Sequence, residues 1–268
     1  MVSRSLAAFR LVLFLLWTLL YLLPFSLALL VCRPCARDMQ CFFWRVAVWL
    51  MGIKIVIHGK LSKDHPLLYV SNHISYMDIP ILGSVLPASF VSKAEVGTWP
   101  VIGWLSRLGR TVFINRRRQD SKTHRNEILN RLQAGDSLIL FPEATSHDGN
   151  RVLPFKSALF SVAEYRPNDR ALPVQPVTIA YTRLNGIPIG YAWRPYFAWY
   201  GDMELAPHIW HLLGLGRLRV DIILHTPVGL DSFPDRRALA RHCYETVKAG
   251  LLAANTGRWP EEGDTPAR

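Results

Sequence analysis

Leu11 to Cys32 is a run of 22 residues without a charged side chain, bounded by Arg10 and Arg33. Hydrocarbon offers no water to satisfy backbone N–H and C=O groups, so one segment of this kind is confined to the α-helix. About 20 apolar residues cross a core of about 30 Å. The run therefore predicts an N-terminal membrane-embedded helix. A cleaved signal peptide has a shorter apolar centre and a small-x-small site, and no such site precedes Cys32. Leu30 and Val31 are also poor residues ahead of a lipid-modified cysteine. Pro24 leaves open a bent helix that re-enters one leaflet. Arg4 and Arg10 balance Arg33 and Arg37, so loop charge sets no orientation. A second apolar stretch, Phe42–Ile57, is interrupted by Arg45 and Lys54.

Beyond residue 50 the pattern changes. Strand-like runs at 54–58, 67–71, 89–93, 111–115, 137–141, 174–181 and 218–225 alternate with helical patterns. The helices fall at 79–86, 99–108, 121–134, 157–165, 204–213 and 234–253. Such alternation predicts an α/β fold, a mostly parallel twisted sheet flanked by helices. The expected organisation is a membrane-anchoring helical segment over 1–50, one α/β domain over 51–256, and a loosely ordered tail over 257–268.

A net charge of +11 points to an anionic partner: a membrane surface, a phosphorylated substrate or nucleic acid. Paired zinc ligands and an aromatic ribonucleoprotein motif are both missing, which argues against nucleic acid. The four cysteines, Cys32, Cys35, Cys41 and Cys243, form no disulfide framework and are expected to be reduced, partly buried thiols.

Asn72-His73-Ile74-Ser75-Tyr76-Met77-Asp78 follows the apolar run Leu67–Val70. Residues five apart on a straight helix point to different faces. Pro80 is tolerated only in a first helical turn, so the helix should begin near Ser75–Ile79. That leaves His73 in the turn after a strand and Asp78 at the helix entrance, where a carboxylate reaches back to an imidazole. Ser75-x-x-Asp78 also matches a plain capping pattern. A base near neutral pH held by a carboxylate is what acyl transfer to an alcohol requires.

Two further blocks follow. Thr111–Asn115 is an alternating strand that runs into Arg116-Arg117-Arg118, and Phe141-Pro142-Glu143-Ala144-Thr145-Ser146 closes another apolar run. In this order the three resemble the blocks of the glycerolipid acyltransferase family, the lysophosphatidic acid acyltransferases in particular. Val174-Gln175-Pro176-Val177 matches the family's fourth block, so the likeness spans about residues 50 to 185.

The resemblance implies His73 and Asp78 as the catalytic pair, with Phe113 and Arg116 in the second block and Arg116 on the acceptor's phosphate. It implies that Glu143 organises the acceptor site by hydrogen bonding, with Thr145 and Lys156 also on the substrate. Arg110 stands where the family has glycine, Ala144 replaces the glycine of the third block, and Ser146 replaces its arginine. Arg151 or Lys156 is expected to supply the missing anion contact. Paired N-terminal segments dock such enzymes on the bilayer.

The implied activity is O-acyl transfer from an acyl thioester, acyl-CoA or acyl carrier protein, to the hydroxyl of a lysophospholipid. Lysophosphatidic acid, the family default, is the expected acceptor, giving phosphatidic acid, and no cofactor or metal is expected. The altered third block and the aromatic stretch Tyr191–Tyr200 also look like the lyso-ornithine lipid branch, and that stretch equally fits plain core or an interfacial aromatic belt. The implied location is the bacterial cytoplasmic membrane, with the catalytic domain in the cytosol and partners limited to lipid, acyl donor and anionic membrane surface. A thiolate leaves readily, so one base suffices and no protein nucleophile is needed; the chain carries no Gly-x-Ser-x-Gly elbow. Two other classes stay open: a metal hydrolase using His58, His65, His73 and Asp78, and a non-catalytic membrane-binding protein.

Overall fold

The structure, a computed structural model, describes residues 2–98, 102–114 and 121–258. Helix α1, Arg4–Val31, is a single element of 28 residues that continues through Pro24, about 42 Å at 1.5 Å per residue. Its outward row, including Phe9, Leu16, Leu20, Leu23 and Leu30, is exposed. It is the one described helix long and apolar enough to cross a membrane. Cys32 ends α1 and caps α2, Arg33–Leu50. The two helices run antiparallel, joined by the Trp17 indole donating to the Phe43 carbonyl (3.1 Å) and the Tyr21 hydroxyl to that of Met39 (2.9 Å).

One expectation is corrected here. Cys32 and Cys35 form a disulfide, while Cys41 and Cys243 are free and buried. A spacing of three at a helix start brings the first pair within 5.3 Å between Cα atoms. The apolar stretch Phe42–Ile57 spans two elements, in keeping with the strand read over 54–58. It divides at Gly52, whose φ of +78° turns the chain from α2 into strand β1, Ile53–Gly59. A side chain at Gly52 would strike the Arg10 guanidinium, which lies against the turn and donates to the carbonyls of Leu213 and Leu215.

The remaining strands are β2 Leu68–Ser71, β3 Ser89–Lys93, β4 Val112–Ile114, β5 Leu138–Leu140, β6 Val174–Leu184, β7 Ile187–Pro188 and β8 Leu218–Leu224. They pair in the order β1-β8-β6-β2-β5-β3-β4, with β7 folding back on β6. From β6 to β4 every neighbour is parallel; β8 runs antiparallel to β6, and β1 lies parallel to β8. The sheet is covered on both faces, as parallel sheets are. Leu68, Val70 and Leu138 face one core, which includes Leu239 and Val247 of α7, Arg236–Thr256. Tyr69, Ile139 and Ile179 face the other, beneath α3, Asp78–Gly83. Helices α4, Ile102–Leu108, α5, Ser121–Gln133, and α6, Leu205–Leu213, complete the described fold. The helix expected over 157–165 is a 3-10 segment, Ser157–Glu164. Phe160 and Ala163, three residues apart and so on one face of a 3-10 turn, are both buried there.

Candidate active site

Strand β2 ends at Ser71, and residues 72–77 form the loop at its carboxyl end, where open α/β sheets place their ligands. Asn72 fixes that loop. Its buried amide donates to the Ile179 carbonyl (3.0 Å) and accepts from the Ile179 N–H (2.9 Å), prolonging the β2–β6 pairing through a side chain. His73 then leaves the sheet. Its imidazole stacks on Phe141 with centroids 4.2 Å apart, and its Nδ1 sits 2.8 Å from Oδ2 of Asp78.

Asp78 is fully buried as the first residue of α3. Its Oδ2 also accepts from the N–H groups of Ile74 (2.6 Å) and Ser75 (2.9 Å), and its Oδ1 accepts from the Tyr181 hydroxyl (2.7 Å). Burial, and then the adjacent Asp78 charge, push the Tyr181 phenol well above its ordinary pKa, which keeps it a neutral O–H donor. With Nδ1 against a carboxylate, the neutral imidazole carries its proton there and holds its lone pair on Nε2. That nitrogen suits removal of a proton from a hydroxyl.

Glu143 links two loops from behind. Its Oε1 accepts from the His73 N–H (2.8 Å), and its Oε2 accepts from the Leu153 N–H (2.7 Å) and lies 2.9 Å from Nε2 of His147. Burial lowers the His147 pKa, but the hydrogen bonds and charges of Glu143 and Asp148 outweigh it, so the net shift is upward. The turn between is held by Ala144 at φ +63°, the left-handed conformation for which the family uses glycine. Arg110 likewise sits at φ +56°, with its guanidinium forked onto Asp136 at 3.2 and 2.9 Å.

A cavity of about 1310 Å³ opens beside His73. Its apolar lining comes from Leu11, Phe14 and Leu15 of α1, Trp44 of α2, and Ile209 and Leu212 of α6. Its polar lining includes Lys93, Arg125, Thr145 and Lys156. The cavity therefore joins the N-terminal helices α1 and α2 to the His73–Asp78 pair, a shape suited to a lipid with one polar end.

His73, Thr145 and Lys156 line this space, and Asp78 is buried behind His73. Glu143 stands behind the loop, 2% exposed, as a strut. Phe113 packs against Gly97 and is not among the cavity-lining residues. Arg116, with Arg117 and Arg118, lies outside the described residues. Arg151 is exposed. His58 pairs with Asp221 (2.8 Å) and His65 with Ser137 (3.2 Å), so neither joins His73. Sequence reasoning missed Asn72, Lys93, His147 and Tyr181. His147 carried a faint signal four residues after Glu143; Tyr181, on a strand 103 residues from Asp78, carried none.

The acyltransferase family profile matches residues 53–180. Lyso-ornithine lipid O-acyltransferase of Brucella abortus is 44% identical over 89% of this chain and 91% of its own length. That of Rhizobium meliloti is 38% identical over 80% of this chain and 75% of its own length. The 1-acyl-sn-glycerol-3-phosphate acyltransferase of Neisseria gonorrhoeae is 31% identical over 71% of this chain and 72% of its own length. Among solved structures, the 1-acyl-sn-glycerophosphate acyltransferase PlsC of Thermotoga maritima superposes with a TM-score of 0.67 at 22% identity. The superposition covers 92% of this chain and 95% of that one. The likeness shows the fold, a mixed sheet with flanking helices. The chain belongs to the acyltransferase family. Within it, this is an acyltransferase of the lysophospholipid group.

Proposed function

We propose that the chain transfers a fatty acyl group from an acyl thioester to the hydroxyl of lyso-ornithine lipid, with His73 as general base. Nε2 of His73 takes the hydroxyl proton as the oxygen attacks the thioester carbonyl. Asp78 holds the imidazole by Nδ1 and stabilises the imidazolium that forms. The thiolate then leaves; a cysteine-like thiol has a pKa of about 8.5, so departure needs little help. Acyl-CoA and acyl carrier protein both fit as donors, and the basic surface suits a cytosolic face of the bacterial cytoplasmic membrane.

The observation that carries the acceptor is Ser146. It occupies the place of the family's third-block arginine, and its hydroxyl is committed to the Trp199 carbonyl. A phosphate monoester carries close to two negative charges and loses more without a guanidinium than the ornithine head group, a zwitterion with a single carboxylate. The lyso-ornithine lipid relatives, more similar and more fully covered than the glycerophosphate ones, support the same choice. Lysophosphatidic acid, the family default, is the second reading, favoured by Lys93 and Lys156 in the cavity wall. Purified protein assayed side by side on both acceptors separates them. Higher kcat/KM on lyso-ornithine lipid is expected; a strong preference for lysophosphatidic acid would reverse the acceptor and leave the His73–Asp78 chemistry intact.

A further inference from the structure

The stretch around Tyr191–Tyr200 serves three purposes. Phe197 and Ala198 are core, and Trp199 and Tyr200 line the cavity, but Tyr191 (72%), Trp193 (62%) and Tyr196 (51%) are exposed. The exposed rings form a patch with α6: Trp193 and Tyr196 lie 5.2 Å apart, and Tyr196 lies 5.9 Å from His211. Trp210 on the same helix is also exposed.

This patch adjoins the base of α1. The end of α6 accepts the Ser3 N–H at Gly214 and the Arg10 guanidinium at Leu213 and Leu215. The β6–β7 hairpin reaches the same place, because Asn185 pairs with the backbone of Arg217 in both directions at 2.7 and 2.8 Å. Beyond Asn185 the hairpin presents exposed Ile187, with Arg183 and Arg217 exposed beside it. Amphipathic rings together with arginines, next to a helix whose outer row is bare leucine and phenylalanine, match the chemistry of the headgroup layer.

We propose that Tyr191, Trp193, Tyr196 and Trp210 form a second membrane foothold at headgroup level on an anionic bilayer. The catalytic domain is then held at two places, by α1 and by this aromatic collar. Rotation about α1 is thereby restricted, and the cavity mouth is kept at the lipid surface.

The test uses the full chain in vesicles of phosphatidylethanolamine and phosphatidylglycerol. Trp193→Phe removes one exposed indole and keeps the ring, so the fluorescence difference between wild type and variant reports Trp193 alone. Quenching of that difference by lipids brominated near the head group is the expected result. A Trp193 signal open to aqueous iodide and untouched by brominated lipid would overturn the proposal. So would a signal shielded from both, which would assign the patch to a protein contact such as a second copy of the chain. The readout is depth rather than turnover, so it stands apart from the identity of the acceptor.

Discussion

The hydroxyl of Tyr181 donates a 2.7 Å hydrogen bond to Oδ1 of Asp78, while Oδ2 of the same carboxylate holds Nδ1 of His73 at 2.8 Å. Strand β6 thus fixes the carboxylate that fixes the base. Tyr181→Phe removes one donor from a buried carboxylate without changing its shape. A buried hydrogen bond to a charged group contributes about 1.5–3 kcal/mol, so both stability and kcat should fall, kcat by roughly ten- to a hundredfold. Thermal denaturation and initial rates measured on one preparation check both. An unchanged kcat would mean that Asp78 holds its place without β6.

Ala144 sits at φ +63° where the family has glycine. The left-handed conformation costs a non-glycine residue about 1–2 kcal/mol, and glycine returns part of this as extra unfolded-state entropy, about 0.4–1 kcal/mol. Ala144→Gly should therefore stabilise the protein by up to about 1 kcal/mol and leave kcat near wild type. Chemical denaturation reads the first and an acyl-transfer assay the second.

The His73–Asp78 pair was legible because its geometry is local: a strand, a turn and Pro80 leave the side chains little choice. Strand β3 was equally legible, since Phe90-Val91 is a short strand-forming pair bounded by Pro87 and Glu95. What stayed hidden depended on distant contacts. The reversed direction of β8 and β1 is set by sheet pairing across the whole chain, and the packing of Arg10 on Gly52 by contacts with residues 213 and 215. The clasp of Glu143 on the His73 N–H joins residues 70 apart, and a sequence pattern names the glutamate without saying what it grips.

Acid should weaken the fold through His225. Burial first, and the nearby His242 second, lower its pKa from 6.5 to about 4. Between those values the unfolded chain binds the proton and the folded chain does not. Stability contributed by the neutral ring is therefore complete above pH 6.5 and declines as pH falls toward 4. The gap bounds the loss at roughly 3 kcal/mol. His225→Gln retains a polar partner for Thr178 and removes the titration. Melting midpoints recorded from pH 7 down to pH 4 should fall less steeply for the variant. Equal slopes would place the acid sensitivity elsewhere.

The central claim is that Nε2 of His73 deprotonates the acceptor hydroxyl. It is tested most directly by the rate of acyl transfer to lyso-ornithine lipid by wild type and His73→Ala, each purified full length and reconstituted in lipid. A positioned general base contributes about 10²- to 10⁴-fold, so the variant should lose at least a hundredfold in kcat while keeping its melting midpoint and membrane association. Turnover within about tenfold of wild type by a folded, membrane-bound His73→Ala protein would contradict the account.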